Sequence, residues 1–428
     1  MIEKTNAVER LISLDCHPDT FTAAILRGPT PAAAVVEKVF NQISIKQLES
    51  WAQKNTTAQD LFVLEASGNS FKVVRTLAKH QRHAKVLESC HLGKLKEAHA
   101  NNDKISAIRI GKAYLAGTAK EVWVPYLATQ EQRDLFHAHR KSVKRTTQAR
   151  NSLLSYLSDN GVRLKQGTRL ANDRETEKLL GQAAEWTERQ WRVLQGLLMQ
   201  LQQAEQQRQH WRNFIAQQVL QTPELVSLVR LCGVRDLVAF ALGAFIGDIK
   251  RFKDPKKLVK YVGLNPSFDE SGQSQWSGGV GAQGNNHLRS LLVQGAHAIL
   301  RGSQSPLAKG GRKLLAKKGS KNLAVCAVAR KLTVALWYLM MGRWTPVEKI
   351  DDQLCLKLNK ILQQAHPKKS AKERQAMRAE VYQKLANRSA LASEQRTPGL
   401  RVYVLDPNKK FIPKPTSTSL AEEYGLKG

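Results

Sequence analysis

Acidic residues are missing from a long part of this sequence: residues 271–347 contain no aspartate or glutamate. This acid-free segment has eleven lysines and arginines and no carboxylate of its own to pair with them. A polyphosphate backbone is the natural counter-charge, because each neutralised phosphate releases condensed counterions. A short basic cluster would indicate only a solvated surface, but a run of this length predicts that the chain binds DNA, RNA or both.

The sequence also has few cysteines and no long apolar run. The five cysteines, at positions 16, 90, 232, 326 and 355, show no paired spacing, which argues against zinc and disulfides and for a reducing compartment. The longest near-apolar stretch, residues 237–247, is far shorter than the roughly 20 residues of a membrane-spanning helix. The first four residues lack the pattern of a signal peptide. We therefore expect a cytoplasmic protein.

Positive charge dominates the whole chain. Lysine and arginine number 67 against 36 acids, a net charge of +31, which is typical of nucleic-acid binding. Binding to a membrane surface would need a concentrated basic amphipathic helix, whereas here the charge is spread along the sequence. The 428 residues, 42% of them hydrophobic, are enough for two or three domains with cores of their own.

The first 128 residues alternate strands and helices. Apolar runs predict three strands, then helix, strand, helix, strand and helix, which is an α/β order with a mixed sheet and the order of the ribonuclease-H-like fold. The predicted strands are residues 11–14, 21–26, 34–40, 61–64 and 84–87, and the first two predicted helices are residues 45–54 and 71–80.

The rest of the chain is predicted to be mainly helical. A 3-4 spacing runs from Leu180 through Leu194, Leu201 and Ile215, which favours a coiled-coil arm that serves as a spacer or in oligomerisation. Pro223 begins a further helical region with a tight turn at residues 233–235. The predicted domains are residues 1–128, a helical linker 129–222, a C-terminal domain 223–345, and an extension 346–428 of unknown role.

Three acids stand where the predicted α/β sheet would bring them together. Asp15 closes the first strand, Glu65 closes the fourth, and Asp103 opens a later helix. In a ribonuclease-H-like sheet the first and fourth strands are neighbours, so the three carboxylates would converge. They would repel one another without a cation, and hard oxygen ligands suit Mg²⁺, which stabilises charge in phosphoryl transfer. Each acid alone would indicate only a cap or a surface charge.

A second candidate lies in the polar segment 265–284, which is predicted to be a loop. Ser271 stands before Gly272, and a serine hydroxyl in a tight turn can attack a phosphodiester, although Gly/Ser-rich segments are commonly just loops. Asn285 and Arg289 are predicted to cap the next helix and to meet phosphate. His287 has no cysteine or histidine partner at metal spacing, which favours a structural or phosphate-contact role.

Several motifs in order resemble one family. Leu14-Asp15, residues 64–68 and residues 102–107 look like its acidic motifs, residues 124–140 like its central helical region, and residues 247–272 with 286–289 like its C-terminal domain. The chain thus resembles, over about residues 10–345, the transposases of the insertion-sequence-110 class. These are called DEDD transposases or bridge-RNA-guided serine recombinases, and the match falls in their 1111-like subgroup.

The resemblance implies a fold and a mechanism. The fold would be an N-terminal RuvC-like domain, a coiled-coil linker and a mainly helical transposase domain. Ser271 would attack DNA to give a phosphoserine intermediate, with Mg²⁺ bound by Asp15, Glu65 and Asp103. Donor and target DNA would be chosen by pairing with a structured noncoding guide RNA. A homo-oligomer, a dimer or tetramer in the bacterial nucleoid, would let the arm carry the acids to a partner's serine.

Two positions depart from the family pattern. Ser106 stands where a fourth acid is usual, and its hydroxyl is a weaker metal ligand. Arg235 replaces a glycine and can contact phosphate. With these, the nucleic-acid-binding residues predicted from the sequence are Arg235, His287, Arg289, Arg312, Lys313, Lys317, Lys318, Lys321, Arg330 and Lys331.

The sequence alone is also compatible with two other functions. A RuvC-type hydrolytic nuclease would use the acids and water and would not need Ser271. A domesticated, non-catalytic DNA- or RNA-binding protein would tolerate Ser106 and would show no metal-dependent cleavage. Cleavage assays in Mg²⁺ or EDTA distinguish these classes.

Overall fold

The computed structural model describes residues 9–89, 102–162, 185–271, 274–281, 283–303, 305–342, 354–394, 403–405 and 411–413. Contacts between backbone positions divide the chain into two compact units, Met1–Tyr126 and Leu127–Gly428. The predicted linker, C-terminal domain and extension all belong to the second unit.

The first unit is a mixed α/β domain. Its six-stranded sheet has the order β3-β2-β1-β4-β5-β6. Strands β1, β2 and β3 are antiparallel, β1 pairs in parallel with β4, and β4 pairs in parallel with β5. This confirms that the first and fourth strands are neighbours. The elements are β1 Arg10–Cys16, β2 Thr20–Arg27, β3 Val35–Ser44, α1 Leu48–Asn55, β4 Leu61–Glu65, α2 Ser70–Lys79, β5 His83–Leu87, α3 Asp103–Leu115 and β6 Glu121–Val122.

Apolar side chains of the strands point alternately to the two faces of this sheet, so a hydrophobic core forms on each face. Ile12 and Leu14 of β1 pack in a cluster with Trp51 of α1. Leu11 points the other way and packs with Ile110 of α3. Because successive side chains of a strand point to opposite faces, Asp15 lies on the same face as Leu11, the face that α3 covers.

The second unit is mostly helical. Its long helices are α4 Leu127–Asp159 and α5 Glu188–Gln221. An antiparallel hairpin, β7 Pro266–Ser271 and β8 Ser274–Val280, interrupts the helices that follow. Those helices are α6 Pro223–Val229, α7 Asp236–Ile246, α8 Pro255–Val262, α9 Asn286–Gly302, α10 Pro306–Lys318, α11 Lys321–Met340, α12 Leu354–Ala365 and α13 Ala371–Glu394, and two short paired strands are β9 Tyr403–Leu405 and β10 Phe411–Pro413.

Helices α4 and α5 pack against each other within one chain, which confirms helix pairing. Leu153 of α4 shares a buried cluster with Leu194 and Leu201 of α5. The predicted 3-4 spacing also includes Thr187, and that position was wrong. Thr187 is the N-cap of α5, in a capping box with Gln190, because a polar pair at this spacing satisfies the open N–H groups of a helix end. Leu180 lies outside the described residues.

Helix α11 is long and apolar enough to cross a membrane by length and composition alone. In the structure it is a core helix, since Leu332, Leu336 and Trp337 are all buried in the main cluster of the second unit. The indole Nε1 of Trp337 donates to the carbonyl of Phe252 at 3.0 Å.

The predicted turn at residues 233–235 joins α6 and α7. Gly233 has φ of +76°, and a Cβ there would lie 2.8 Å from the carbonyl oxygen of Gly295. Arg235 has φ of −120° and is the N-cap of α7, a conformation open to any residue. Replacing a glycine by Arg235 therefore puts no strain on this backbone.

Candidate catalytic and nucleic-acid sites

The predicted acids lie at one edge of the sheet of the first unit. Leu14 of β1 pairs with Leu64 of β4, so Asp15 and Glu65 are the next residues of adjacent parallel strands. Asp103 is the first residue of α3, and Asn102 caps that helix by accepting from the N–H of Ile105 at 2.9 Å. The helix N-terminus carries a partial positive charge that stabilises a nearby carboxylate.

The closest grouping at this edge includes a residue that sequence reasoning missed. One ligand atom each from Asp15, His17 and Asp103 all lie within 4.8 Å of one another. His17 Nε2 is 3.4 Å from Asp103 Oδ1. Glu65 is not in this group, so far as the described residues go. The signal available in the sequence was the position of His17, two residues after Asp15, in the segment that joins the first two predicted strands.

The site is open to a ligand. Asp15 and Asp103 are half-buried and His17 is exposed. A depression of about 310 Å³ lies beside Asp103, lined also by Asn41, Gln42, Asn102 and Lys104. Carboxylate oxygens and an imidazole nitrogen are donors that fit a divalent cation. The neighbouring Cys16 is unsuitable, because burial, with the charge of Asp15, raises its thiol pKa to about 12.

Ser106 lies one helical turn beyond Asp103 on α3 and is half-buried. Its N–H donates to the carbonyl of Asn102 at 3.0 Å, an ordinary helical bond. The backbone thus places Ser106 and Asp103 on neighbouring positions of one helix face, and its predicted role as a weak metal ligand stays a prediction.

Ser271 is the last residue of β7. The prediction of a loop over residues 265–284 was wrong, because most of that segment forms the β7–β8 hairpin. Ser271 is the register partner of Ser274, directly before residues 272 and 273, which lie outside the described part of the chain. It therefore stands at the turn end of the hairpin. Its role as the nucleophile stays a prediction.

Arg289 holds the base of that hairpin. Its Nη1 donates to the carbonyls of Gln283, Gly281 and Gly263 at 2.8, 2.9 and 3.3 Å. The close approach needs Gly263, where a Cβ would meet the carbonyl oxygen of Gln283. Arg289 is thus committed to fastening the hairpin to α9, and its predicted phosphate contact stays a prediction.

His287 belongs to an aromatic group of the second unit. Its ring stacks on Phe245 with centroids 5.4 Å apart and meets His137 at 5.0 Å. Burial lowers the pKa of His287, and the charges of His137 and Arg140 lower it further. Its imidazole is therefore neutral near pH 7. As predicted, Asn285 caps α9 by accepting from the N–H of Leu288 at 3.1 Å.

The predicted cations of the acid-free segment fall into two groups. Arg312 donates to the carbonyls of Leu300 and Ser303 at the end of α9, which is a structural role. Outside this segment, half-exposed Arg235 has its Nε 3.8 Å from Asp236 Oδ1. The remaining predicted cations are exposed side chains on α10 and α11. These are Lys313, Lys317, Lys318, Lys321, Arg330 and Lys331.

We expect DNA affinity to depend steeply on salt. If six to ten phosphates are contacted, affinity should fall by roughly 10³ to 10⁵ between 50 and 200 mM salt. Replacing Lys313, Lys317 and Lys318 by alanine should reduce the slope of log affinity against log salt by about 3, at about 0.9 per phosphate.

The measurement is fluorescence anisotropy with labelled duplex DNA at several salt concentrations. The matched control removes the same charge from exposed lysines of the first unit, Lys46, Lys54 and Lys72. Equal slopes for both triple variants would show that general charge, and not the α10 surface, drives binding.

Part of this chain is similar to known transposases. Residues 227–309, which include the hairpin and Arg289, match the family described as Transposase IS116/IS110/IS902. The transposase for insertion sequence element IS1111A of Coxiella burnetii is 24% identical over 285 residues, 66% of this chain and 78% of that protein.

Two further relatives match over shorter shares of their length. A probable family 20 transposase of Pseudomonas aeruginosa is 29% identical over 26% of this chain and 34% of its own length. The putative transposase y4qE of Sinorhizobium fredii is 27% identical over 54% of this chain and 62% of its own length.

Proposed function

From the premise that residues 227–309 match the IS116/IS110/IS902 transposases, we propose that this chain moves an insertion sequence by cutting and rejoining DNA through a serine-linked intermediate. One observation carries the proposal. The chain joins a transposase-like segment containing Ser271 to a mixed-sheet unit in which Asp15 and Asp103 converge.

The N-terminal unit is proposed to be RuvC-like. Its first five strands have the order β3-β2-β1-β4-β5, with three antiparallel strands followed by two parallel ones. In this order Asp15 and Glu65 end adjacent strands, and α3 brings Asp103 to the same edge. That arrangement of acids suits phosphoryl transfer.

The chemical step belongs to Ser271. Its Oγ attacks a DNA phosphorus, a new Oγ–P bond forms, and the bond from phosphorus to the leaving sugar oxygen breaks. The proton of the serine hydroxyl is transferred overall to that leaving oxygen. The energy of the phosphodiester is kept in the protein–DNA bond. A hydroxyl of the joining strand then displaces the serine in the reverse sense.

Asp15, Glu65 and Asp103 would hold Mg²⁺, which when bound neutralises charge developing on the phosphoryl oxygens. The three acids belong to the first unit and Ser271 to the second. The proposal therefore requires both units, from one chain or from two copies, to act at the same DNA phosphate.

A structured RNA is proposed to select the DNA. Exposed cations on α10 and α11 contact phosphates whatever the sequence, so they position DNA and RNA but do not choose a site. Base pairing between guide and target supplies the choice instead. RNA transcribed from DNA that flanks the gene should bind more tightly than a scrambled RNA of equal length.

The test of the whole proposal is strand cleavage by the full chain on DNA carrying the ends of the element. Cleavage is expected in Mg²⁺ and not in EDTA. Asp15→Ala and Ser271→Ala variants should each be inactive, and activity on mixing them would show that copies share a site. Binding to DNA without metal-dependent cleavage in any mixture would contradict the proposal.

Ser106→Asp is expected to tighten Mg²⁺ binding while the fold stays the same, because a carboxylate is a stronger hard ligand than a hydroxyl. Isothermal titration with Mg²⁺ measures the change, and Ser50→Asp, an exposed serine of α1, is the control. Weaker metal binding or loss of folding would place Ser106 away from the metal and would call the position of Asp103 into question.

A further inference from the structure

The turn after β1 is held from two sides. The N–H of His17 donates to the carbonyl of Thr20 at 2.9 Å. The carbonyl of His17 accepts from Asn69 Nδ2 at 2.7 Å, and Asn69 lies in the segment after β4. The backbone of His17 is therefore fixed by the first residue of β2 and by the segment that follows β4.

The His17 side chain faces the same space as Asp15 and Asp103. Its Nε2 is 3.4 Å from Asp103 Oδ1, and ligand atoms of His17, Asp15 and Asp103 all lie within 4.8 Å of one another. Two atoms bonded to one ion at about 2.1 Å each are at most about 4.2 Å apart. The His17–Asp103 spacing already meets that limit, and small side-chain movements bring in Asp15.

We infer that His17 is a metal ligand of this centre through Nε2, and that the centre in consequence prefers a transition ion such as Mn²⁺ to Mg²⁺. The inference rests on the proposed function, because it assumes that the acids hold a metal. Mg²⁺ is bound almost wholly by oxygen, whereas imidazole binds first-row transition ions.

A second histidine of the same unit provides a matched control. His80 Nε2 also lies 3.4 Å from a carboxylate oxygen, that of Glu49, and its Nδ1 is 2.9 Å from Gln53 Nε2. The described residues around His80 bring no second acid into such a group. It has the histidine–carboxylate contact of His17 without the cluster.

The experiment is metal binding by the full chain, without DNA. Mn²⁺ and Mg²⁺ affinities are measured by titration, and pulsed electron paramagnetic resonance of bound Mn²⁺ detects coupling to an imidazole nitrogen. The unmodified chain should bind Mn²⁺ more tightly than Mg²⁺ and show the nitrogen signal. His17→Ala should weaken Mn²⁺ binding by about tenfold or more, lose the signal and lose the preference.

Two further variants sharpen the test. His17→Asp replaces nitrogen by oxygen and should turn the preference towards Mg²⁺, while His80→Ala should change nothing. A nitrogen signal that persists in His17→Ala, or equal weakening of both metals, would overturn the inference and leave His17 as an ion-pair partner of Asp103. His17 is 48% exposed, so these variants leave the core intact.

The Asp15→Asn variant distinguishes failure of the inference about His17 from failure of the proposed function. If Asp15→Asn lowers the affinity for both metals while His17→Ala has no effect, the acids bind metal and His17 is not a ligand. If Asp15→Asn binds both metals as tightly as the unmodified chain, the acids do not form a metal site, and both the proposed metal site and the inference about His17 are contradicted.

Discussion

Ser271→Ala should abolish covalent capture of DNA and leave DNA affinity almost unchanged. The substitution removes one oxygen at the turn end of the β7–β8 hairpin and alters no charge. We expect the accompanying change in stability to stay within about 0.5 kcal/mol. Loss of the attacking hydroxyl, in contrast, removes both steps of the covalent pathway.

Denaturing electrophoresis of the protein with labelled DNA measures the adduct, and mass spectrometry identifies the linked peptide. Ser274→Ala is the matched control, because Ser274 is the cross-strand partner of Ser271. An adduct formed by Ser271→Ala, or mapped to Ser267, Ser274 or Ser277, would show that another serine attacks. Cleavage without any adduct would favour the hydrolytic nuclease.

The largest loss of stability is expected from Arg212→Leu. Asp236, at the first position of α7, is completely buried, and Arg212 of α5 binds both of its oxygens at 2.6 and 2.7 Å. Removing the arginine leaves a buried carboxylate without its main partner, which typically costs about 3–5 kcal/mol. The free energy of unfolding from chemical denaturation, followed by helical circular dichroism, measures this loss.

Arg192→Leu is the control for that prediction. Arg192 also pairs with an acid on α5, Glu188, but both side chains are more than three-quarters exposed, and such pairs contribute about 0–1 kcal/mol. The double variant Arg212→Leu with Asp236→Leu should recover most of the stability, since an apolar pair often replaces a buried ion pair at little cost. Equal losses for the two arginine variants would contradict the buried-pair argument.

The order of the strands, and with it the position of Asp15 and Glu65 at the ends of adjacent strands, was within reach of the sequence. Short apolar runs mark β1 and β4, and an acid follows the buried positions of each, so parallel pairing of these strands places Asp15 beside Glu65. Period-two alternation also assigns Asp15 to the face that α3 covers. These conclusions need only local patterns and one rule of topology.

Other features depend on contacts that local patterns do not contain. The sequence of the β7–β8 hairpin predicts a loop, because Ser277, Gly278 and Gly279 have low strand propensity. Positive charge suggested phosphate contacts for Arg289 and Arg312, yet their guanidinium groups bind carbonyls brought near by folding. His17 was overlooked because a turn shows no periodicity that would indicate where its side chain points.

The fastening of the hairpin by Arg289 has a mechanical consequence. A six-residue strand such as β7 is about 20 Å long, and three carbonyl bonds from one guanidinium hold its base. The hairpin is therefore anchored to α9 at its base, and Ser271 lies about one strand length away, at the turn end. A small rotation at the Arg289 contacts becomes a larger displacement over that length, so these contacts limit how far the backbone of Ser271 can move relative to α9.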